Sequence, residues 1–233
     1  MWIRHKINDF CFSLFLYIFL YFVIINRKII LKKHFRVLTM KGIPKLQNEI
    51  ISAFENSPII IAIKDDDDLS ACLSCDKKVV FVLYGSVITI PAIVARLKEA
   101  DKAVFVDIDL LDGLSAREAA VDYLARSTAA DGIVSTKAPL VRRAAALGLA
   151  TVYRTFLLDS MALRSLQKTA VQSGADFVEI LPGVMPKLIG RLAAALEKPL
   201  IASGLLADKE DVIAALSAGA AAISSTDRAV WEL

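Results

Sequence analysis

Charged side chains stand at the ends of several short apolar runs in the sequence, where burial would make them strong ligands or reactive groups. They are Lys64, Asp107, Asp109, Lys137, Arg154 and Glu179. A charged group is costly to bury without a partner, so each must either pair with another charge or bind a polar ligand. Taken singly, the residues leave both possibilities open. If the runs are strands of a parallel barrel, however, the set gathers at one end, and this clustering favours a binding site.

Small and hydroxyl-bearing residues close the last two apolar runs. One reads PLIASG and ends on Ser203 and Gly204; the other reads AAAISST and contains Ser224 and Ser225. The sixth run likewise ends on Pro182 and is followed by Gly183. Glycine lets the backbone come close to a ligand, and backbone N–H groups after the last two strands of a (β/α)8 barrel form a recurrent phosphate site. The sequence therefore predicts a bound phosphate group; the alternative is that the glycines only turn the chain and the hydroxyl groups cap a helix.

The same side chains would also suit an enzyme that acts on a small phosphorylated substrate. Asp107, Asp109 or Glu179 would then serve as acid or base, and Lys64 as a Schiff-base lysine. Both histidines of the chain lie before residue 35, however, so the side chain best suited to proton transfer near neutral pH is missing from this region. We therefore expect no catalytic residue and keep the enzyme only as the alternative function.

Metal and disulfide chemistry is not indicated by the sequence. Three cysteines are too few for a disulfide framework in 233 residues, which favours a reducing compartment. Cys72 and Cys75 form a C-x-x-C pair, but no second cysteine pair or nearby histidine completes a zinc site. The acidic stretch 64–70 (KDDDDLS) is typical of a solvated loop and helix start. We expect neither a metal nor a cofactor.

Eight apolar runs alternate with helical patterns from residue 58 onwards, which predicts a parallel sheet of α/β class. Each run holds four to six mainly apolar residues, as suits a strand buried on both faces. The runs span 58–64, 78–84, 103–109, 131–136, 149–156, 176–182, 199–204 and 220–226. Eight strands close a (β/α)8 barrel, so we predict a compact TIM barrel over residues 40–233. An open doubly wound sheet is the alternative, but its glycine fingerprint is absent after the first run.

Capping residues mark the predicted helix boundaries between the runs. Ser115 and Glu118 have the spacing of a capping box, which predicts a helix that begins at the serine. Asp208 is typical of an N-cap, and Gly219 is typical of the glycine that ends a helix.

Residues 1–39 differ from the rest and are interpreted as an apolar and basic N-terminal extension. They hold seven basic residues against one acid, a net charge of +6, whereas residues 40–233 hold 21 basic and 24 acidic residues, a net charge of −3. As a helix, the apolar run 10–25 would span about 24 Å, against roughly 30 Å for a hydrocarbon core. Two interpretations stay open: a mis-assigned translation start upstream of Met40, and a membrane anchor that tethers the protein on the cytoplasmic side.

Stretches of residues 58–231 resemble, in the same order, the family of glycerol-3-phosphate-responsive antiterminators, which regulate glycerol-uptake operons in bacteria. These stretches are PIIIAIKDDDDLSACLSCDKKVVFVLYGSV, VFVDIDLLDGLS, DGIVSTK, TVYRTFLLDS, VEILPGVMPK, IASGLL and AISST followed by VW. The resemblance implies a cytoplasmic barrel-fold regulator, rather than an enzyme, whose effector is glycerol 3-phosphate. It also implies that the protein acts on leader mRNA, letting transcription pass a terminator upstream of glycerol genes.

The resemblance further implies roles for individual residues. Gly204, Ser224 and Ser225 would hold the phosphate group, and Asp109 would accept hydrogen bonds from the glycerol hydroxyls. The opening at the C-terminal end of the barrel, here called the mouth, would also be lined by Lys137, Arg154 and Glu179. All of these residues match family motifs quoted above.

Two positions depart from the family pattern. Asp107 stands where the family commonly has a histidine, and Ser203 stands where it has a glycine. The first change alters the polar contacts offered to a ligand, and the second narrows the space around the phosphate.

RNA binding depends on the resemblance alone, because a net charge of −3 over the predicted barrel does not indicate a polyanion-binding protein. Three local basic clusters occur: Lys77 with Lys78, Lys98 with Lys102, and Lys137 with Arg142 and Arg143. Such clusters usually form solvated faces, and no RNA-recognition signature with interleaved aromatic residues is present. A homo-oligomer would join small clusters of this kind into one basic surface.

Overall fold

The computed structural model describes residues 45–233, apart from the side chains of residues 45–49, 55 and 167. Eight parallel strands form a closed barrel in which each strand pairs with its sequence neighbours and the last pairs with the first. They are β1 (Ile59–Ile63), β2 (Val79–Val82), β3 (Ala103–Asp107), β4 (Gly132–Ser135), β5 (Ala150–Phe156), β6 (Phe177–Leu181), β7 (Leu200–Ser203) and β8 (Ala222–Ser225). The predicted TIM barrel is thus confirmed, and each predicted apolar run contains one strand.

Helices connect the strands around the outside of the barrel. In the described chain they are α1 (Lys45–Asn56), α2 (Asp66–Ser74), α3 (Ile90–Glu99), α4 (Glu118–Ser127), α5 (Ala138–Ala146), α6 (Ser160–Ser173), α7 (Pro186–Ala195), α8 (Lys209–Ser217) and α9 (Arg228–Trp231), with a 3-10 turn at Ile108–Leu110. The predicted cap of α8 is confirmed, since the Asp208 side chain accepts a hydrogen bond from Asp211 N. The predicted capping box of α4 is wrong. The carbonyl of Ser115 accepts from Arg117 N at 2.7 Å in a tight turn, so the helix begins only after Arg117.

Aromatic side chains fill the lower barrel interior and close its N-terminal end. Phe81, Phe105 and Phe177 are fully buried there, and each such side chain stabilises the fold by roughly 1.5–3 kcal/mol. Phe54 of α1 packs edge-on against Phe177 with the ring centroids 5.3 Å apart. Gly132 has to lack a side chain, because a Cβ there would lie 2.5 Å from the Phe105 ring. The interior is therefore a solid core that leaves only the C-terminal mouth for a ligand.

The predicted N-terminal extension, its apolar run 10–25 and the boundary near residue 40 lie outside the described residues. Within the described part of the chain, no helix is both long enough and apolar enough to cross a membrane. The longest helix there, α6, has 14 residues.

Candidate ligand-binding site

Alternation of side chains along the strands places a set of polar residues at the C-terminal mouth of the barrel. In β6, Phe177 belongs to the interior core, and Glu179, two residues further along, lies on the same face. The same spacing on the other strands assigns to the mouth Lys64, Asp107, Arg154, Glu179, Ser203 and Ser224. Residues predicted from six separate stretches of sequence therefore lie at one end of the barrel.

Arg154 bridges two buried carboxylates at the centre of the mouth. Its Nε donates to Glu179 Oε2 at 2.6 Å, and its Nη1 donates to Asp107 Oδ2. The side chains of Arg154, Asp107 and Glu179 are only 10%, 2% and 0% exposed. Ser203 Oγ donates to the other oxygen of Glu179 at 2.5 Å. Arg154 is thus committed to the two carboxylates, and it holds them in place instead of standing free as a phosphate ligand.

Desolvation is the main reason why the pKa of Asp107 is raised to about 6. The guanidinium group of Arg154 opposes this rise, whereas the neighbouring carboxylates of Glu179 and Asp109 reinforce it. One guanidinium shared between two carboxylates does not fully compensate both of them. Asp107 therefore changes its protonation state near pH 6.

We expect the substitution Asp107→Asn to change how stability depends on pH. The pKa of Asp107 is raised from its usual 3.8 on folding, so the folded state holds this proton more tightly than the unfolded state between about pH 4 and pH 6. Ionisation of Asp107 therefore lowers the stability of the wild type as the pH rises through that window. Relative to the wild type, the free energy of unfolding of the variant should improve by about 2 kcal/mol between pH 4 and pH 7, measured by urea denaturation. Parallel pH profiles for the two proteins would contradict this assignment.

Asp109 is the centre of a second polar group, where β3 and β4 end. Its Oδ2 accepts from Thr136 N and Thr136 Oγ1, each at 2.7 Å, and its Oδ1 accepts from Lys137 Nζ at 3.0 Å. Burial alone would raise the pKa of Asp109, but these hydrogen bonds hold it below its usual value. Asp109 is therefore ionised at neutral pH, and a ligand hydroxyl would share it with Thr136 and Lys137.

A third group, at the end of β1, contains a buried carboxylate that the sequence reasoning missed. Asp68 is 1% exposed and accepts from Lys64 Nζ at 2.7 Å and from Arg228 Nε at 2.9 Å. Burial would raise the pKa of Asp68, but hydrogen bonds from these two cations hold it below its usual value. The interpretation of 64–70 as a solvated stretch therefore fails at this residue. Asp68 stands one helical turn before the buried Cys72, so the two residues share one face of the helix. This spacing was the signal in the sequence that Asp68 would be buried.

The loops that follow β7 and β8 lie side by side, because Ser203 and Ser224 are paired residues of neighbouring strands. Ser224 is 4% exposed, and its hydroxyl group has no hydrogen-bond partner in the described chain. The backbone N–H groups of Leu205 and Thr226, which lie beyond the two strands, also donate no hydrogen bond within the described residues. These loops thus offer two free backbone donors beside one buried hydroxyl group.

Ser225 and Gly183 support these loops in other ways. Ser225 Oγ donates to Leu206 O at 3.2 Å and accepts from Asp227 N at 3.1 Å, so its side chain ties the two loops together. Gly183 N donates to Gly204 O at 2.9 Å, and a Cβ at Gly183 would lie 3.1 Å from the Leu206 side chain. The helix that follows, α9, has only four residues, so a helix dipole contributes little here.

The cations at the mouth are all paired with carboxylates. Asp68, Asp107, Asp109 and Glu179 face Lys64, Lys137, Arg154 and Arg228, and Asp65 lies 3.8 Å from Lys64 as a fifth carboxylate. An anion would therefore be held by the free N–H groups and by the half-exposed Lys64 and Arg228, and not by a net positive charge. Such a mouth suits a small ligand that carries hydroxyl groups and one anionic group. Within the described residues, no three His, Cys, Asp or Glu side chains are grouped to hold a metal ion.

The fold and this site define the class as a (β/α)8 barrel with a polar mouth of paired charges. The sequence profile of the family described as glycerol-3-phosphate responsive antiterminator matches residues 59–231. The chain belongs to this family, which is a family of regulators, and the predicted membership is confirmed.

Individual relatives agree with the family match. The uncharacterized protein YgcP of Escherichia coli K12 is 39% identical over 184 residues, which cover 79% of this chain and 96% of that protein. The crystal structure of a glycerol uptake operon antiterminator regulatory protein from Listeria monocytogenes 4b F2365 is similar with a TM-score of 0.74 and 28% identity, covering 76% of this chain and 96% of that one. A glycerol uptake operon antiterminator-related protein from Thermotoga maritima MSB8 has a TM-score of 0.66 and 31% identity, with 75% and 98% covered.

Proposed function

We propose that this protein binds glycerol 3-phosphate at the barrel mouth and, in that state, acts as a transcription antiterminator on leader mRNA of glycerol-uptake genes. Family membership supports the regulatory role. Within the structure, the observation that supports the ligand is the buried Ser224 hydroxyl, which has no partner in the described chain and lies beside unused backbone N–H groups. Because the target is newly made mRNA, the protein works in the cytoplasm.

In the proposed complex the phosphate group lies against the loops after β7 and β8. The N–H groups of Leu205 and Thr226 and the Ser224 hydroxyl donate to its oxygens, and hydrogen bonds to a charged group contribute roughly 1.5–3 kcal/mol each. Gly204, which has no side chain, lets the backbone come close to the phosphate. Lys64 and Arg228, which keep about half of their side-chain surface exposed, stand at the rim on the β1 side. The phosphate is thus recognised mainly by directed donors, which distinguish a phosphate ester from a neutral polyol.

The glycerol hydroxyls lie toward the opposite side of the mouth in this proposal. There the carboxylate oxygens of Asp107 and Asp109 accept hydrogen bonds, and Arg154, itself held by the fully buried Glu179, fixes the orientation of Asp107. Ser203, where the family has glycine, has its hydroxyl bonded to Glu179 instead of free for a ligand. Asp107, where the family has histidine, is likewise held by Arg154, so both departures are accommodated within the same hydrogen-bond network.

A leader-RNA mobility assay tests the proposed function. A radiolabelled transcript of the leader that precedes the glycerol-uptake genes of the same genome is mixed with the protein, with 1 mM glycerol 3-phosphate, 1 mM glycerol or no addition. We expect glycerol 3-phosphate alone to increase the fraction of retarded RNA, because gating requires the effector to favour the RNA-binding state. Equal retardation in all three lanes, or none in any lane, would sink the proposal.

The enzyme alternative is checked on the same protein by phosphorus NMR. We expect the resonance of glycerol 3-phosphate to stay unchanged during a prolonged incubation, because the mouth has no histidine and its carboxylates are held by cations. Loss of that resonance with growth of a new one would instead assign the site to catalysis.

A further inference from the structure

Cations of the three basic clusters that the sequence predicts are largely neutralised in the structure. Four of these cations form ion pairs of 3.0 Å or less: Lys78 with Asp101, Lys98 with Asp131, Arg143 with Asp122, and Lys137 with Asp109. Lys102 is 4% exposed and donates to Lys77 O at 2.8 Å, so it is not accessible to a partner. These clusters therefore do not form a free basic surface.

Helices α6 and α7 carry a different group of cations, which we call the α6–α7 basic face. It consists of Arg164 and Lys168 on α6 and Lys187 and Arg191 on α7, all exposed. None of the four makes an ion pair or hydrogen bond within the described residues, and neither helix contains an acidic residue. Each pair has i, i+4 spacing, so its two members lie one turn apart on the same side of the helix. The face is thus an uncompensated charge of +4.

An open groove of about 540 Å³ separates the first turns of these two helices. Lys187 and Arg191 line it on the α7 side, and Ser160 lines it on the α6 side. Arg164 follows Ser160 by one helical turn and so continues the same flank. The carboxylate of Asp159 also lines the groove on the α6 side, where it accepts hydrogen bonds from the N–H groups of Met161 and Ala162 as the N-cap of that helix. The cations that line the groove itself therefore lie on the α7 wall, and Arg164 stands further along α6.

Apolar side chains are exposed where the groove meets the barrel mouth. Leu158 is 84% exposed, Met161 is 68% exposed, and the ring of Phe156 at the end of β5 is 48% exposed. Unpaired bases of RNA are commonly recognised by contact with aromatic and apolar side chains, while cations hold the phosphates. The cations continue down the side of the barrel, away from these apolar residues. This layout fits a flexible polyanionic chain better than a flat lipid surface.

We propose that the α6–α7 basic face is the surface that binds single-stranded RNA, with the phosphates along the four cations and an unpaired base against Phe156 or Leu158. The inference rests on the proposed RNA-dependent function and adds the place of contact. It also suggests a structural route by which ligand binding in the mouth would affect RNA binding at this face. Strand β5 carries Arg154 in the mouth and leads within a few residues to Phe156 and α6.

A charge-neutralising variant, R164Q/K168Q/K187Q/R191Q, tests the proposal. Its control, K78Q/R96Q/R126Q/K209Q, removes the same number of lysines and arginines from the described surface outside α6 and α7. Binding of the fluorescein-labelled leader transcript is measured by anisotropy with 1 mM glycerol 3-phosphate at salt concentrations from 50 to 300 mM, and circular dichroism verifies folding. Each phosphate contact on a single strand contributes about 0.7 to the slope of log K against log salt. The face variant should therefore lose a slope of about 3 and on the order of a hundredfold in affinity at 0.1 M salt, and the control should resemble the wild type.

The outcomes separate this inference from the proposed function. If the wild type binds the transcript and the face variant binds equally well, the α6–α7 assignment is wrong and the function stands. If the wild type does not bind the transcript at all, both fail. A second arm uses vesicles of phosphatidylcholine with 30% phosphatidylserine. Vesicle binding by the wild type and the control but not by the face variant, together with equal RNA binding by both variants, would assign the face to a lipid surface and overturn the proposal.

Discussion

Replacing Arg154 with methionine is expected to destabilise the folded protein by about 3–5 kcal/mol. The substitution keeps much of the side-chain volume but leaves Asp107 and Glu179, which are 2% and 0% exposed, without their shared cation. Uncompensated buried carboxylates must either remain charged at high cost or take up protons on folding. Urea denaturation at pH 7, followed by circular dichroism, measures the free energy of unfolding.

The matched control for this prediction is Arg143→Met, which breaks the ion pair with Asp122. That pair is partly exposed, with side chains 34% and 28% accessible, so its loss should cost only about 1 kcal/mol or less. The triple variant R154M/D107N/E179Q should recover much of the stability lost in R154M, because no buried charge is left unpaired. Equal effects of the Arg154 and Arg143 substitutions would show that the network is not buried as described.

Replacing Ser224 with aspartate is expected to abolish binding of glycerol 3-phosphate. The new carboxylate would lie in a position that is 4% exposed, where the proposed phosphate group is held, and like charges at close range in a poorly solvated site repel strongly. We expect more than a hundredfold loss of affinity by isothermal titration calorimetry, since a loss of about 3 kcal/mol or more corresponds to that factor.

A neutral variant keeps this second prediction testable if aspartate impairs folding. Ser224→Val removes only the hydroxyl group at nearly constant volume, and we expect about a tenfold loss of affinity from one missing hydrogen bond to a charged group. Thr128→Val is a suitable control, because the hydroxyl of Thr128 bonds only within the α4 end, donating to Leu124 O and accepting from Ala130 N. Unchanged affinity in the Ser224→Val variant would remove this hydroxyl from the site.

The fold was predictable because the eight strands are buried on both faces and therefore appear as continuous apolar runs. The gathering of Asp107, Arg154 and Glu179 followed from topology, since the C-terminal ends of parallel strands in a barrel share one mouth. The ion-pair partners of these residues within the mouth could not be predicted from topology. In the structure, Arg154 pairs with Asp107 and Glu179, and Lys137 pairs with Asp109. These choices depend on strand stagger and side-chain rotamers, which the spacing of residues in the sequence does not encode.

Two further features escaped the sequence for identifiable reasons. Asp68 lies within a run of four aspartates that reads as solvated, and only the helical face it shares with Cys72 shows its burial. The cations of α6 and α7 are separated along the chain by β6, so only the barrel brings them to one face. The local clusters that were visible in the sequence have acidic partners from distant elements, for example Asp131 for Lys98 and Asp101 for Lys78.

The most direct test of the proposed effector site is a thermal-shift titration of the wild type with glycerol 3-phosphate, glycerol and inorganic phosphate, each up to 10 mM. Binding to the native state alone raises the midpoint of unfolding in proportion to RT ln(1 + [L]/Kd). We predict a concentration-dependent rise with glycerol 3-phosphate that neither glycerol nor phosphate reproduces, because the mouth engages hydroxyl groups and the anion together. No shift with glycerol 3-phosphate, or an equal shift with phosphate alone, would contradict the account.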